Sequence, residues 1–144
     1  MRIPLVGLSL TAIIAACASS SRDMKPPANF AEQVAHGQTL FADNCAKCHG
    51  DAGQGTKDGP RVVGLRQGAL PLDPPASRKL RKTRFVTVAD VAEFAMEYMP
   101  PKKAGTLTPE EYLAVLAFDL KANGIDLGQE PLTMAKARTL TIPR

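Results

Sequence analysis

Two thiols and an imidazole stand together in Cys45-Ala46-Lys47-Cys48-His49. Two residues between the thiols let one helical turn present both to adjacent edges of a single planar ring. The imidazole that follows at once can swing under that ring and bind a metal at its centre. This is the Cys-x-x-Cys-His arrangement of c-type haem attachment, with Cys45 and Cys48 as thioethers and His49 as an iron ligand. Other chemistries also use paired cysteines. Half a zinc site would need a second Cys or His pair to reach four ligands, and the chain has three Cys and two His in all. A thioredoxin-like dithiol would need a βαβ context, which is missing, and here His follows the second Cys.

An iron that only carries electrons has a protein ligand on both faces, commonly His and Met. The chain has five Met. Met1 is expected to be lost with a leader, and Met24 lies in a polar tether. Met96, Met99 and Met134 remain. Met99 precedes Pro100-Pro101, and proline holds the residue before it extended, so its sulfur would sit on a stiff loop. Met96 reads as core packing on the preceding helix, the ordinary use of Met. His36, the other His, is expected to face solvent beside Gly37.

These residues need elements to place them. Gly37, Phe41 and Cys45 fall four apart, on one face of a helix that starts near Phe30. Thr87-Val88-Ala89-Asp90 is a capping pattern, and Val88, Val91, Ala92 and Ala95 continue a helical face toward Tyr98. Thr108-Pro109-Glu110-Glu111 is a second helix start, followed by Tyr112, Val115, Leu116 and Leu120. Asn123-Gly124 is a stop signal. No strand or hairpin pattern is present, so the fold class is all-α. Residues 125–144 read as an extension wrapping the surface, anchored by Leu127, Leu132 and Leu140.

With Gly50, Gly53, Gly55 and Gly59-Pro60 after the motif and Tyr98-Met99-Pro100 beyond them, residues 30–128 resemble class I cytochrome c. That resemblance implies a small fold of about four to five helices around one covalent haem. It implies Met99 as the second axial ligand and the Pro60 carbonyl as support for His49. It also implies that Gly37 and Phe41 meet Val115 and Phe118 where the first helix crosses the last. Met99-Pro100, Gly105-Thr106-Leu107-Thr108, Glu111-Tyr112-Leu113, Leu116-Ala117-Phe118 and Asn123-Gly124 are similar to haem c domains or subunits of periplasmic dehydrogenases, among them quinoprotein alcohol dehydrogenases and molybdenum-containing sulfite dehydrogenases. A dehydrogenase as electron donor, and an oxidase or another cytochrome as acceptor, is what this likeness implies. With both axial positions filled there is no place for a substrate on iron. The expected function is one-electron transfer rather than catalysis by this chain. The alternatives, a haem enzyme or a gas-binding sensor, need a labile Met99.

Length and composition agree with this. The chain of 144 residues suits one domain, and its 44% hydrophobic and 22% charged residues are globular values. A net charge of +4 is too weak to argue for nucleic acid. There is no Trp, and aromatics make up 5%, so a haem would supply much of the core. Residues 1–16 read as an export signal: Arg2, then a largely apolar run. Ile14-Ala15-Ala16-Cys17 resembles the bacterial lipobox, which implies lipid attachment at Cys17 and anchoring to a membrane on the periplasmic side of the cell envelope. The expected organisation is a signal peptide at 1–16, lipidated Cys and tether at 17–29, cytochrome c domain at 30–128 and C-terminal extension at 129–144. All three Cys then have a use. Arg78, Lys79, Arg81, Lys82 and Arg84 read as a solvated loop, a docking patch for an acidic partner or anionic lipid, or, with Arg61 and Arg66, partners of haem propionates.

Overall fold

The computed structural model describes residues 25–69, 72–74, 76 and 81–143. The leader, Cys17, Arg78 and Lys79 lie outside the described residues. Helix α1 spans Phe30–Asn44 and begins where the Asn29 side chain accepts the Glu32 backbone N–H at 2.9 Å. Helix α2, Ala46–His49, is the single turn that carries the cysteine motif. A 3₁₀ turn at Leu65–Gln67 precedes α3, Val88–Tyr98, and α4, Pro109–Ala122. Both later helices open on the expected capping boxes, Thr87 with Asp90 and Thr108 with Glu111. The backbone N–H groups of Thr87 and Val86 donate to the Asp90 carboxylate and hold it below the usual carboxylate range. Among the described residues there is no strand, only an isolated bridge between Thr87 and Thr141. The fold is all-α.

Helix α1 crosses α4 at Gly37. A Cβ there would stand 1.8 Å from the Ala114 carbonyl oxygen, so only a hydrogen atom allows the two backbones this close. One turn further on, Phe41 meets Phe118 with ring centroids 5.1 Å apart. Phe41, Ala46 and Val115 form a small buried cluster next to the motif. The pairing of Gly37 and Phe41 with Val115 and Phe118 is therefore found. A larger cluster joins Phe30 of α1, Val88 and Ala92 of α3, and Leu113, Leu116 and Leu120 of α4.

In the C-terminal segment Leu132 is buried and Leu127 and Leu140 pack against the larger cluster, as anchors would, but the segment also adds a helix the sequence did not lead one to expect. It does not merely wrap the surface. Leu132, Ala137 and Ile142 are buried in the larger cluster. Residues Met134–Thr139 form a fifth helix, α5, capped by Thr133 and packed on α3. The Gln33 amide brackets the Leu132 backbone, donating to its carbonyl at 3.0 Å and accepting its N–H at 2.7 Å. Six residues are too few for helical periodicity to show in a sequence, and the anchoring contact comes from ninety-nine residues away.

The basic segment departs too. It is not a uniform patch of exposed charge. Arg81 is buried, with its guanidinium over the Phe85 ring at 3.8 Å. It donates to the carbonyls of Leu72, Asp73 and Thr83. Arg84 pairs with Asp73 at 3.3 Å, while Lys82 is exposed. Arg81 thus uses its fork of donors to tie two stretches of irregular chain together.

Candidate functional site

The motif grows directly out of α1. Cys45 caps that helix, its N–H donating to the Phe41 carbonyl, and its own carbonyl accepts the His49 N–H at 2.9 Å. That second bond closes one helical turn and sets Cys45, Cys48 and His49 around it. The chain then doubles back beneath the turn. The Gly55 N–H donates to the His49 carbonyl at 2.6 Å, and the Thr56 hydroxyl donates to the Cys48 carbonyl. At Gly59 a Cβ would lie 2.8 Å from the Cys48 carbonyl oxygen, so this return needs a residue without one.

Pro60 then reaches the imidazole. Its carbonyl lies 2.7 Å from His49 Nδ1. A carbonyl only accepts, so Nδ1 carries the proton and Nε2 is left with its lone pair. A second partner that fixes tautomer and ring orientation is typical of a metal-ligating His.

Met99 caps α3 in the extended conformation, φ −118° and ψ 146°, as a residue before proline must. It is half-buried and belongs to neither apolar cluster, whereas Met96 and Met134 pack against the larger one. Its carbonyl accepts the Tyr112 hydroxyl, which ties it to α4. His36 is half-buried on α1 rather than solvent-facing. Arg61 donates to the Val63 carbonyl at 3.1 Å, and Arg66 is exposed.

A sequence model of the cytochrome c family matches residues 34–121. The chain belongs to the cytochrome c family. More narrowly it is a class I c-type cytochrome, and haem-based electron transfer is its activity. A solved structure, the sulfane dehydrogenase SoxCD from Paracoccus pantotrophus, contains a chain similar to this cytochrome. The two are 26% identical with a TM-score of 0.56, over 95% of this chain and 69% of that one. No curated protein matches the sequence.

A cytochrome c carries covalently bound haem c, and Cys45 and Cys48 stand at the attachment position. The local chemistry fits that group. Both thiols are free of a disulfide. Burial, then the Asp119 carboxyl and the Cys48 thiol, push the Cys45 thiol up to about 12. A position so hostile to thiolate suits the sulfur of a neutral thioether. Among the described residues no three His, Cys, Asp or Glu side chains gather as a metal-ion site, so the zinc alternative finds no ligand set among them.

Three side chains of this cytochrome escaped the reading of the sequence. Tyr112 was legible only as a core position, though a buried Tyr hydroxyl calls for a partner. Asn123 was legible only as a helix stop. Its amide also donates to the Val62 carbonyl at 2.9 Å and accepts the Gly64 and Leu65 N–H groups at 2.7 and 3.2 Å, fixing the loop beyond Pro60 to the end of α4. Asp119 gave no signal. It is buried on α4, and its Oδ1 has no hydrogen-bond partner.

Burial pushes the Asp119 carboxyl well above the ordinary carboxylate range. The consequence for stability has a definite sign. Below about pH 4 the group is protonated in the folded and unfolded chain alike. As pH rises past that point the unfolded chain ionises first, so stability falls until the pH passes the folded value. Asp119→Asn is therefore expected to stabilise the holoprotein at pH 8, with the gain vanishing near pH 4. Denaturant unfolding at both pH values measures it, and an equal difference at each would show that ionisation is not the cause.

Proposed function

We propose that the protein is a lipid-anchored, one-electron carrier that takes electrons from a dehydrogenase and passes them to an oxidase or another cytochrome. In this reading Cys45 and Cys48 hold the haem, and His49 and Met99 ligate its iron. Bound there, the haem supplies a reversible one-electron change. The chain's own residues do the rest. Pro60 keeps the His49 proton on Nδ1, so that Nε2 faces the metal. Met99 contributes a neutral thioether, which favours the reduced state and raises the potential. Phe41, Ala46 and Val115 exclude water beside the thioether position.

The observation that carries the proposal is the bond between His49 Nδ1 and the Pro60 carbonyl, which leaves Nε2 with a lone pair for a metal, directly after two free thiols. The likeness to a chain in a sulfane dehydrogenase structure supports a dehydrogenase as partner. Cys17, after an apolar leader, supports a lipid anchor outside the cytoplasm. No helix of the described residues is long and apolar enough to cross a membrane. Replacing Cys17 by Ser is expected to release the protein from the membrane fraction.

Absorption spectra of the holoprotein, oxidised, reduced, and reduced under carbon monoxide, test the central claim. A low-spin haem c spectrum indifferent to carbon monoxide is expected, because Met99 occupies the sixth position. A clear shift would transfer support to a haem enzyme or gas sensor.

A further inference from the structure

The stretch between Met99 and Thr108 has little of its own to hold it in place. Residues 101–106 are all exposed. Pro100 and Pro101 have no N–H to donate. The internal bonds of the stretch, Lys103 N–H to the Pro100 carbonyl and the Thr106 N–H and hydroxyl to the Lys103 carbonyl, close it on itself without joining it to the helices.

The Met99 N–H donates to the Ala95 carbonyl of α3, and Leu107 packs against the cluster of Phe41, Ala46 and Val115; between them the joint to α4 is made by one hydroxyl. Tyr112 is buried on the first turn and a half of α4. Its O–H donates to the Met99 carbonyl, and its oxygen accepts the Gly105 N–H at 3.1 Å. Both ends of the segment are thereby fastened to one rigid point, with the hydroxyl's single donor used. Around that point α4 is itself fixed: Thr108 and Glu111 cap it one turn earlier, and Gly37 seats it on α1.

We propose that Tyr112 is the positioning residue for Met99, holding the Met99 backbone so that its sulfur stays on the iron. This inference rests on the reading of Met99 as an axial ligand. Without the hydroxyl the ring still fills its place in the core, but the Met99 carbonyl and the Gly105 N–H lose their tie to α4, and the stretch between the Ala95 bond and Leu107 moves more. The sixth position is then open for a larger fraction of the time, and an external ligand binds in proportion to that fraction.

The test is imidazole binding to the oxidised holoprotein, read beside the sulfur-to-iron charge-transfer band. Tyr112→Phe is expected to raise imidazole affinity roughly five- to tenfold, the equilibrium worth of about one neutral hydrogen bond. Leu132→Ala, a truncation in the core cluster far along the chain from this segment, is the control. It lowers global stability and should leave imidazole affinity where it was. Equal affinities in Tyr112→Phe and the unaltered protein, or equal gains in Tyr112→Phe and Leu132→Ala, overturn the inference. Met99→Ala separates the two levels of the argument. If it abolishes the band while Tyr112→Phe changes nothing, only the positioning role falls. If it leaves the band intact, the ligand reading falls and the inference with it.

Discussion

Replacing Met99 by Ala is expected to lower the midpoint potential of the holoprotein by on the order of 0.1–0.3 V, within the roughly 0.8 V that axial ligands span. It should also give carbon monoxide access to the reduced iron. The reason is the chemistry of the lost atom. A thioether is soft and neutral, so it favours ferrous over ferric iron, and nothing in the described structure stands ready to replace it. Met96 and Met134 are packed against the larger core cluster. His36 sits on α1 next to Gly37, the point where that helix is pressed against α4. Potentiometric titration with and without carbon monoxide measures the effect. An unchanged potential and spectrum would move the sixth ligand to another residue.

Gly37→Ala is expected to cost about 3–5 kcal/mol, a large part of the 5–15 kcal/mol that hold a typical domain together. In an isolated helix the same change would help, by up to about 1 kcal/mol. Here the new methyl carbon would lie 1.8 Å from the Ala114 carbonyl oxygen and 3.0 Å from Val115 N, both parts of the rigid α4 backbone. No side chain can step aside. The helices must separate, which also parts Phe41 from Phe118 and loosens the packing beneath Cys45. Gly68→Ala makes a useful comparison. Gly68 has φ 79° but open space around it, so only the left-handed backbone is penalised, about 1–2 kcal/mol. Denaturant midpoints of the two holoprotein variants distinguish close approach from backbone strain. A cost at Gly37 no larger than that at Gly68 would refute the packing argument.

The two substitutions mark how far the residues alone could be read. The Cys45–His49 motif, the caps at Thr87 and Thr108, the stop at Asn123-Gly124 and the extended Met99 before Pro100 are local matters. Each depends on bonds or steric limits spanning a few residues, so each was visible without coordinates. Gly37 was legible as a helix residue that needs a reason, and the resemblance to class I cytochrome c indicated the contact.

What remained depends on distant parts of the chain meeting. The charge run around Arg81 looked like a surface, because a sequence cannot show that the Leu72 and Asp73 carbonyls and the Phe85 ring surround a guanidinium. The last residues looked peripheral, because the Gln33 amide that receives Leu132 lies at the opposite end of the chain. Asp119 carries no mark of burial, since its cost is set by what α4 packs against rather than by its neighbours in sequence.

By itself, then, the sequence supplied the candidate chemistry, two thiols, an imidazole and a proline-held Met, and the starts of the three long helices that carry it. Only the tertiary structure decided which side chains hold that chemistry in place. Tyr112 on the Met99 carbonyl and Asn123 on the loop after Pro60 are both bonds between separate segments. A hydrogen bond of that kind has no signature in either partner's own stretch of chain. It exists because α4 runs past both the end of α3 at Met99 and the loop after Pro60, bringing residues far apart in the chain within reach.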